Sequence, residues 1–419
     1  MRIGIFTETY TPYISGLVTS EVMLKKALEN LGHEVYVVTA NLESFKYEYD
    51  EKEKVLRIPG IKTGIYDSRL TSIYPVQAVN KIKNWKLDII HSQTEFAIGT
   101  FARILSKQYN IPLVHTYHTM YEDYIYYITK GYFKKSSKKL LEYFTKFYCE
   151  TTATELIVPT TKTYKLFKEK YKFEKNINII PTGIEVERFY KENIDIKEVN
   201  ELKKSLNITK KDFVILFVGR IAAEKNILFL IDSLNNLVKK HNNIKLLLVG
   251  DGPEKEKYEK YCNELGLDKN IIFTGKVSWD NMQYYYHVSN VFATASKTET
   301  QGLTVIEAMA SSITPICMKD EAFLSMVTEE LDGLFFETHK EYETIIERLY
   351  NNKKELERFN KQARIQAESY SSKFYAEKVL GVYKRAIKEK EDSNRFGIVS
   401  KIIKKVKEKK IDSNIKSQE

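Results

Sequence analysis

The sequence predicts an α/β chain of two Rossmann-like, doubly wound units that face each other across a cleft. Three observations predict it. The chain has 419 residues, which at roughly 100–200 residues per domain is two domains. Short apolar runs of strand length alternate with segments of helical period, the pattern of a parallel, doubly wound sheet. That alternation restarts after the turn Pro181-Thr182-Gly183 and a polar stretch, so the first unit takes residues 1–185 and the second 200–370.

The elements follow in order. Arg2–Thr7 is a strand-like apolar run, and a loop with Pro12 and Gly16 comes next. Thr19 or Ser20 can cap a helix on which Val22, Leu24, Ala27, Leu28 and Leu31 keep helical spacing, and Gly32 ends it. Val35–Thr39, Leu87–His91, Leu113–Thr116 and Glu155–Val158 read as further strands, and residues 133–150 as a basic helix. In the second unit Phe213–Val218 is a strand ending in Gly219. Asn226–Lys240 is a helix, and Ile244–Val249 is a strand followed by Gly250-Asp251-Gly252-Pro253. Ile271–Thr274, Val291–Thr294 and Thr314–Cys317 continue the series. Tyr370–Lys388 has helical spacing that suits packing, and the chain ends in a lysine-rich tail over 391–419.

Apolar residues make up 43% and charged residues 29%, which supports a packed core and excludes global disorder. The three cysteines lie far apart, so no zinc cage or disulfide framework is written here, and a reducing cytoplasm fits. No apolar run approaches the ~18 residues of a membrane span, and Glu8 arrives too soon for a signal peptide. The formal charge is +10. Residues 1–180 hold 26 Lys/Arg against 19 Asp/Glu, residues 181–394 hold 32 against 34, and residues 395–411 hold seven against one. That asymmetry points to an anionic partner on one side of the molecule.

The segment Glu299-Thr300-Gln301-Gly302-Leu303-Thr304-Val305-Ile306-Glu307 carries the most chemistry. Gly302 lets backbone approach a ligand. The N–H groups of Gly302, Leu303 and Thr304 would open a helix, where a phosphate is favoured. Glu307 would face a ribose diol and Glu299 a sugar; the same spacing also fits a surface capping arrangement. Arg220 and Lys225 follow a buried strand and open a helix, so a guanidinium and an ammonium would meet a diphosphate, or else are two solvated cations. His118 follows the strand Leu113–Thr116 and can hydrogen-bond a sugar hydroxyl, though a lone histidine there also suits a structural role. His91 is read as structural. The loop Pro12-Tyr13-Ile14-Ser15-Gly16 can bring N–H groups to a phosphate, but it is not G-x-G-x-x-G, and no acidic residue closes the second strand, which counts against NAD. A P-loop, a G-x-S-x-G elbow and a D-x-D clamp are absent.

Taken in order, Ser15-Gly16, His118, Pro181-Thr182-Gly183-Ile184, Gly219-Arg220…Glu224-Lys225-Asn226, Gly250-Asp251-Gly252-Pro253, Glu299…Glu307 and Asp332-Gly333-Leu334-Phe335 resemble the GT-B retaining glycosyltransferases of glycosyltransferase family four, over residues 1–390. The resemblance implies that the first unit is the acceptor side, that the second binds the nucleotide sugar, and that residues 371–390 form a crossover helix back to the first unit. It implies that Arg220 and Lys225 hold the donor diphosphate, that Glu299 contacts the donor sugar and Glu307 the ribose, and that Val277 lies by the base. Ser15, Gly16, Thr300, Gln301, Gly302, Leu303 and Thr304 join the donor site, and His118 joins Arg220, Lys225 and Glu299 in catalysis. Segments 7–20, 118–124 and 299–304 are similar to bacterial diacylglycerol glucosyltransferases. This implies UDP-glucose as donor substrate, diacylglycerol as acceptor, and work as a peripheral protein on the inner, cytoplasmic face of the cell membrane; the sequence itself calls for no cofactor and offers no metal ligands. Two positions depart from the family pattern: Ser15 stands where many members carry a glycine, and Ser312 where glycine is usual. Another sugar, a non-lipid acceptor, or a basic nucleic-acid-binding protein are the alternatives; no recognisable RNA- or DNA-binding motif interleaves the basic residues.

A lipid acceptor requires a membrane-facing surface. Residues 130–148 carry six lysines, Lys134, Lys135, Lys138 and Lys139 among them, interleaved with aromatics, which suits an interfacial helix or an ordinary helix with a solvated basic face. In Ile398–Ile411, Val399, Ile402, Ile403 and Val406 share a face, with Lys404 and Lys405 around the rest.

Overall fold

A computed structural model describes residues 1–13, 15–62, 69–118, 142–143, 145–296, 299 and 301–415, with side chains at 62, 151 and 395–415 not described. Two sheets organise it. The first contains β1 (Arg2–Phe6), β2 (Glu34–Asn41), β3 (Glu48–Asp50), β4 (Val55–Lys62), β5 (Arg69–Thr71), β6 (Ile89–Ser92), β7 (Leu113–Thr116), β8 (Glu155–Val158) and β9 (Ile177–Ile179). Its order is β3-β4-β2-β1-β6-β7-β8-β9, with β5 paired to β4. All pairings are parallel except β3 with β4 and β4 with β5.

The second sheet contains β10 (Phe213–Val218), β11 (Ile244–Val249), β12 (Ile271–Gly275), β13 (Val291–Thr294), β14 (Thr314–Met318) and β15 (Leu334–Phe336), in the order β12-β11-β10-β13-β14-β15. Every residue of β10 is buried. A parallel strand covered by helices on both faces reads as a continuous apolar run, which is why Phe213–Val218 was legible. The sheet sits between two apolar layers. Ile215, Phe217, Leu246 and Leu248 face one, with Ile227, Leu230 and Leu234 of the helix Ile227–Leu237. Leu216, Val218, Leu247 and Val249 face the other, with Val305, Ile306 and Met309 of the helix Leu303–Ala310.

The first helix differs from expectation. It runs Gly16–Asn30 and is capped by Ser15, whose Oγ accepts from the Val18 N–H at 3.3 Å, rather than by Thr19 or Ser20. Val18 is buried in its first turn, so the apolar face begins one turn earlier than the periodicity suggested. The departure from glycine at position 15 thus supplies the cap.

The chain crosses between the units twice, side by side. Ile184 N–H donates to Tyr370 O at 2.9 Å and Ser372 N–H to Ile184 O at 2.8 Å. Gly183 permits this, because a Cβ there would lie 2.6 Å from Ser371 O. The C-terminal helix Ser372–Ile415 then packs on the first unit through Tyr375, Val379, Val382 and Tyr383. Its helical backbone continues unbroken past 390 to Ile415. Among the described residues no helix is long and apolar enough to cross a membrane.

Candidate functional site

The carboxyl edge of the second sheet is lined by glycine. Gly219 follows β10, Gly250 follows β11, and Gly275 ends β12. Gly219 N–H bonds Val249 O at 3.0 Å and Gly250 N–H bonds Gly275 O at 3.1 Å, so the three ends stay joined although the pairing of β11 with β12 shifts register between Leu248 and Val249. Arg220 stands exposed immediately beyond β10. Lys225 closes the single turn Ala223–Lys225, and Asn226 starts the next helix at φ 53°.

Glu299 lies on the loop after β13, and its Oε1 accepts from the Lys225 ammonium. Burial would raise this carboxyl, but the charge and hydrogen bond of Lys225, helped by Ser296 and Lys162, hold it below the usual carboxylate value. Three residues on, the chain turns through Gly302 at φ +87°, and a Cβ there would fall 2.7 Å from Phe323 Cε1. Only glycine suits such a position. The helix Leu303–Ala310 starts at this turn with no side-chain cap, so its first N–H groups and the positive end of its dipole are available to an anion. Across the cleft, a Cβ at Gly16 would meet Leu303 Cδ1 at 3.8 Å. The Ser15-Gly16 loop of the first unit therefore abuts this helix start.

Glu307 lies one turn further in and is buried. Its Oε2 accepts from the Tyr286 hydroxyl at 2.6 Å, and the same hydroxyl lies 3.3 Å from Thr304 O. Burial pushes the Glu307 carboxyl up to about 7, against the opposing pull of Tyr286 and Arg188. Arg188 stacks 3.5 Å over the Trp279 ring and bonds Gln283 and the Trp279 carbonyl. Val277, two residues before Trp279, is half-buried.

His118 belongs to a network in the first unit. Its Nε2 lies 2.6 Å from Gln93 Oε1. The Gln93 amide nitrogen reaches His91 Nδ1 at 3.1 Å, which in turn lies 2.6 Å from the Tyr383 hydroxyl. His91 Nε2 meets Thr116 Oγ1 at 2.7 Å. A donor at Nδ1 assigns the His91 proton to Nε2, and an acceptor at His118 Nε2 assigns the proton there. Burial pushes the His118 imidazole down to about 4, with His115 acting the same way and Glu95 opposing. The ring is neutral at pH 7, so it is suited to hydrogen bonding rather than to supplying charge. His91 is the buried structural group the sequence suggested. Nearby, Glu8 accepts from the Ile98 N–H at 2.7 Å, at the start of the helix Ala97–Tyr109.

Gln301 has a different placement from the one expected of a donor contact. Its carboxamide bonds both the N–H and the carbonyl of Thr182, at 2.8 and 3.0 Å. Both ends of the amide are committed to the crossing between the units. Thr300, Lys134, Lys135, Lys138 and Lys139 lie outside the described residues, as do the side chains of Lys404 and Lys405. The structure thus brings Lys225, Glu299, Gly302, Leu303 and Glu307 onto one edge, with Gly16 facing them. Sequence reasoning missed Tyr286, Gln93, Glu95 and Lys162. Their contacts are long-range in sequence and leave no local motif.

Residues 198–366 match the family described as Glycosyl transferases group 1, and residues 14–188 match Glycosyltransferase Family 4. The chain is 37% identical over 394 residues to the alpha-monoglucosyldiacylglycerol synthase of Acholeplasma laidlawii, covering 91% of this chain and 96% of that one. It is 33% identical over 352 residues to the enzyme of the same name from Streptococcus pneumoniae, covering 83% and 78%. Among solved structures, sucrose-phosphate synthase of Thermosynechococcus elongatus superposes with a TM-score of 0.74 at 18% identity, covering 92% of this chain and 98% of that one. Anabaena HepE in complex with UDP and glucose superposes with a TM-score of 0.71 at 15% identity, covering 92% and 100%.

Proposed function

The chain belongs to glycosyltransferase family four and has the GT-B fold, and within that family we propose that it transfers an α-glucosyl group, with retention, from UDP-glucose to diacylglycerol at the cytoplasmic face of the membrane. Family membership replaces the nucleic-acid-binding alternative. The relatives named above, alpha-monoglucosyldiacylglycerol synthases, support the lipid acceptor. The observation that carries the donor reading is the pairing of Lys225 with Glu299 one residue-turn before the uncapped helix whose fifth residue is the buried Glu307. A diphosphate, a sugar and a ribose need a cation, an acceptor and a second acceptor in that order.

In this reading Arg220, Lys225 and the helix start at Gly302 stabilise the charge that develops on the leaving diphosphate. Glu299 accepts from sugar hydroxyls and Glu307 from the ribose diol. Val277 lies by the base, and neutral His118 orients the sugar. Retention by a two-step route needs a nucleophile beneath the anomeric carbon. Glu299 is engaged by Lys225 and is read as a hydroxyl contact. The acceptor hydroxyl therefore enters on the face from which the diphosphate leaves. The bond from the anomeric carbon to the diphosphate oxygen breaks, the bond to the acceptor oxygen forms, and a diphosphate oxygen takes the hydroxyl proton. The enzyme contributes positioning and electrostatics. The domain assignment follows the same reading: residues 1–185 serve the acceptor, 200–370 the donor, 371–390 the crossover and 391–419 the membrane surface.

The test offers labelled UDP-glucose, UDP-galactose and GDP-mannose in turn with diacylglycerol in vesicles. Transfer from UDP-glucose to diacylglycerol supports the proposal. Transfer only from another donor, or only to a soluble acceptor, replaces it with the alternative of the same fold.

A further inference from the structure

Glu299 is held from both sides of the cleft. Its carboxylate bonds Lys225 of the second unit. Its backbone carbonyl lies 3.5 Å from Nζ of Lys162, in the first unit. The same ammonium sits 3.0 and 2.9 Å from the two carboxylate oxygens of Asp320, beyond β14. The Lys162 and Asp320 side chains are 19% and 15% exposed, so this pair is less screened than one in open solvent.

Asp320 also has a local task. Its Oδ1 accepts from the Ala322 N–H at 2.9 Å and caps the helix Glu321–Leu324. Phe323 of that helix is the ring against which Gly302 turns. Lys162 therefore grips two parts of the donor edge at once, the loop at Glu299 and the element that backs the Gly302 turn. It is held in place by its own helix, Thr161–Lys165, where Thr160 Oγ1 accepts from the Thr163 N–H at 3.4 Å. An outer pair, Lys165 with Glu321 at 3.0 Å, lies exposed beside it.

We propose that Lys162 is a positioning residue for the transfer: by bridging Asp320 and the Glu299 carbonyl across the cleft, it couples closure of the two units to the placement of Glu299 against the donor sugar. The proposal rests on the reading of Glu299 as a donor-sugar contact. The three groups come from two units, so the bridge exists only when the units are together. Opening withdraws the ammonium from the Glu299 loop and from Asp320 in one movement.

Four variants of the full chain test it: Lys162→Met, Lys162→Arg, Asp320→Asn, and the exchange Lys162→Asp with Asp320→Lys. Three quantities are measured: donor kinetics with diacylglycerol vesicles, the heat of UDP binding, and the distance between labels placed on the two units, with and without UDP-glucose. Lys162→Met is expected to lower kcat about tenfold, toward the lower end of the range for coupling between sites, with UDP affinity nearly unchanged and less closure on adding UDP-glucose. Lys162→Arg, which keeps the charge, retains most of the activity. The exchange restores the ion pair but neither the bond to the Glu299 carbonyl nor the Asp320 cap, so it recovers closure in part and kcat less. Wild-type kcat and closure in Lys162→Met overturn the proposal, as does a folded Lys162→Arg no better than Lys162→Met. A wild-type protein that binds no UDP overturns the donor-site reading itself, and the proposal with it. Wild-type binding alongside indifferent Lys162 variants overturns this proposal alone.

Discussion

The Tyr383 hydroxyl lies 2.6 Å from Nδ1 of His91, and the contact joins residues 292 positions apart. It ties the C-terminal helix to the first unit's sheet, and through Gln93 it reaches His118. The end of the chain thus supports a residue read as a donor-sugar contact. Removing the hydroxyl in Tyr383→Phe leaves His91 Nδ1 to the longer bond from the Gln93 amide, and losing the buried Tyr383 hydrogen bond costs about 1 kcal/mol. Turnover should fall roughly three- to tenfold as His118 loses its fixed orientation. Thermal unfolding and steady-state kinetics check this, and unchanged kinetics would separate His118 from the Tyr383 network.

The charge pair makes a larger prediction. Lys225→Ala or Arg220→Ala should each reduce turnover by roughly 10²-fold or more, the scale of losing one preorganised charge contact. Near-normal turnover in both variants would remove the diphosphate assignment.

Glu307 predicts a pH dependence. Burial raises its carboxyl from 4.5 to about 7, so the fold favours the protonated form. Stability from this group is fully present below about 4.5 and is lost as pH rises through about 7. Ribose hydroxyls donate to the ionised form, so UDP binding should release a proton and tighten by about tenfold between pH 6 and 8. Calorimetry in buffers of different ionisation enthalpy measures the proton directly. A flat profile that Glu307→Gln does not alter would show that the ribose sits elsewhere.

Gly302→Ala tests the turn. The substituted residue must adopt φ +87° and meet Phe323, a strain of order 1–3 kcal/mol. The variant should melt earlier and bind UDP more weakly. Wild-type UDP affinity in a folded variant would uncouple the helix start from the diphosphate.

Membrane association predicts binding to phosphatidylglycerol vesicles and release at high salt, because each lysine near an anionic leaflet contributes about 1 kcal/mol that salt screens. Deleting residues 395–419 should weaken binding and leave UDP affinity unchanged. Equal binding to neutral vesicles would contradict the charge reading.

The strands of the second sheet were legible because burial on both faces writes itself as runs such as Phe213–Val218 and Ile244–Val249. The short pieces β3, β5, β9 and β15 have three residues each, too few to show a period. The start of the first helix was hidden because Leu17-Val18-Thr19-Ser20 mixes apolar and capping residues, and only the structure shows Ser15 bonding Val18. Arg220, Lys225, Glu299 and Glu307 stood out as candidates because short motifs carry them. Tyr286 and Lys162 were not, because Tyr286 meets Glu307 across 21 residues and Lys162 meets Asp320 across 158. Such contacts are set by how the sheets and units pack. Gln301 shows the converse: it sits inside the motif, and its carboxamide is spent on Thr182.

The central claim is α-glucosyl transfer to diacylglycerol. Its most direct test is the product formed from UDP-glucose and diacylglycerol in phosphatidylglycerol vesicles, with the anomeric configuration read by proton NMR. The account predicts an alkali-stable glucosyldiacylglycerol of α configuration. A β linkage would contradict retention, and the absence of any glucosylated diacylglycerol would contradict the acceptor.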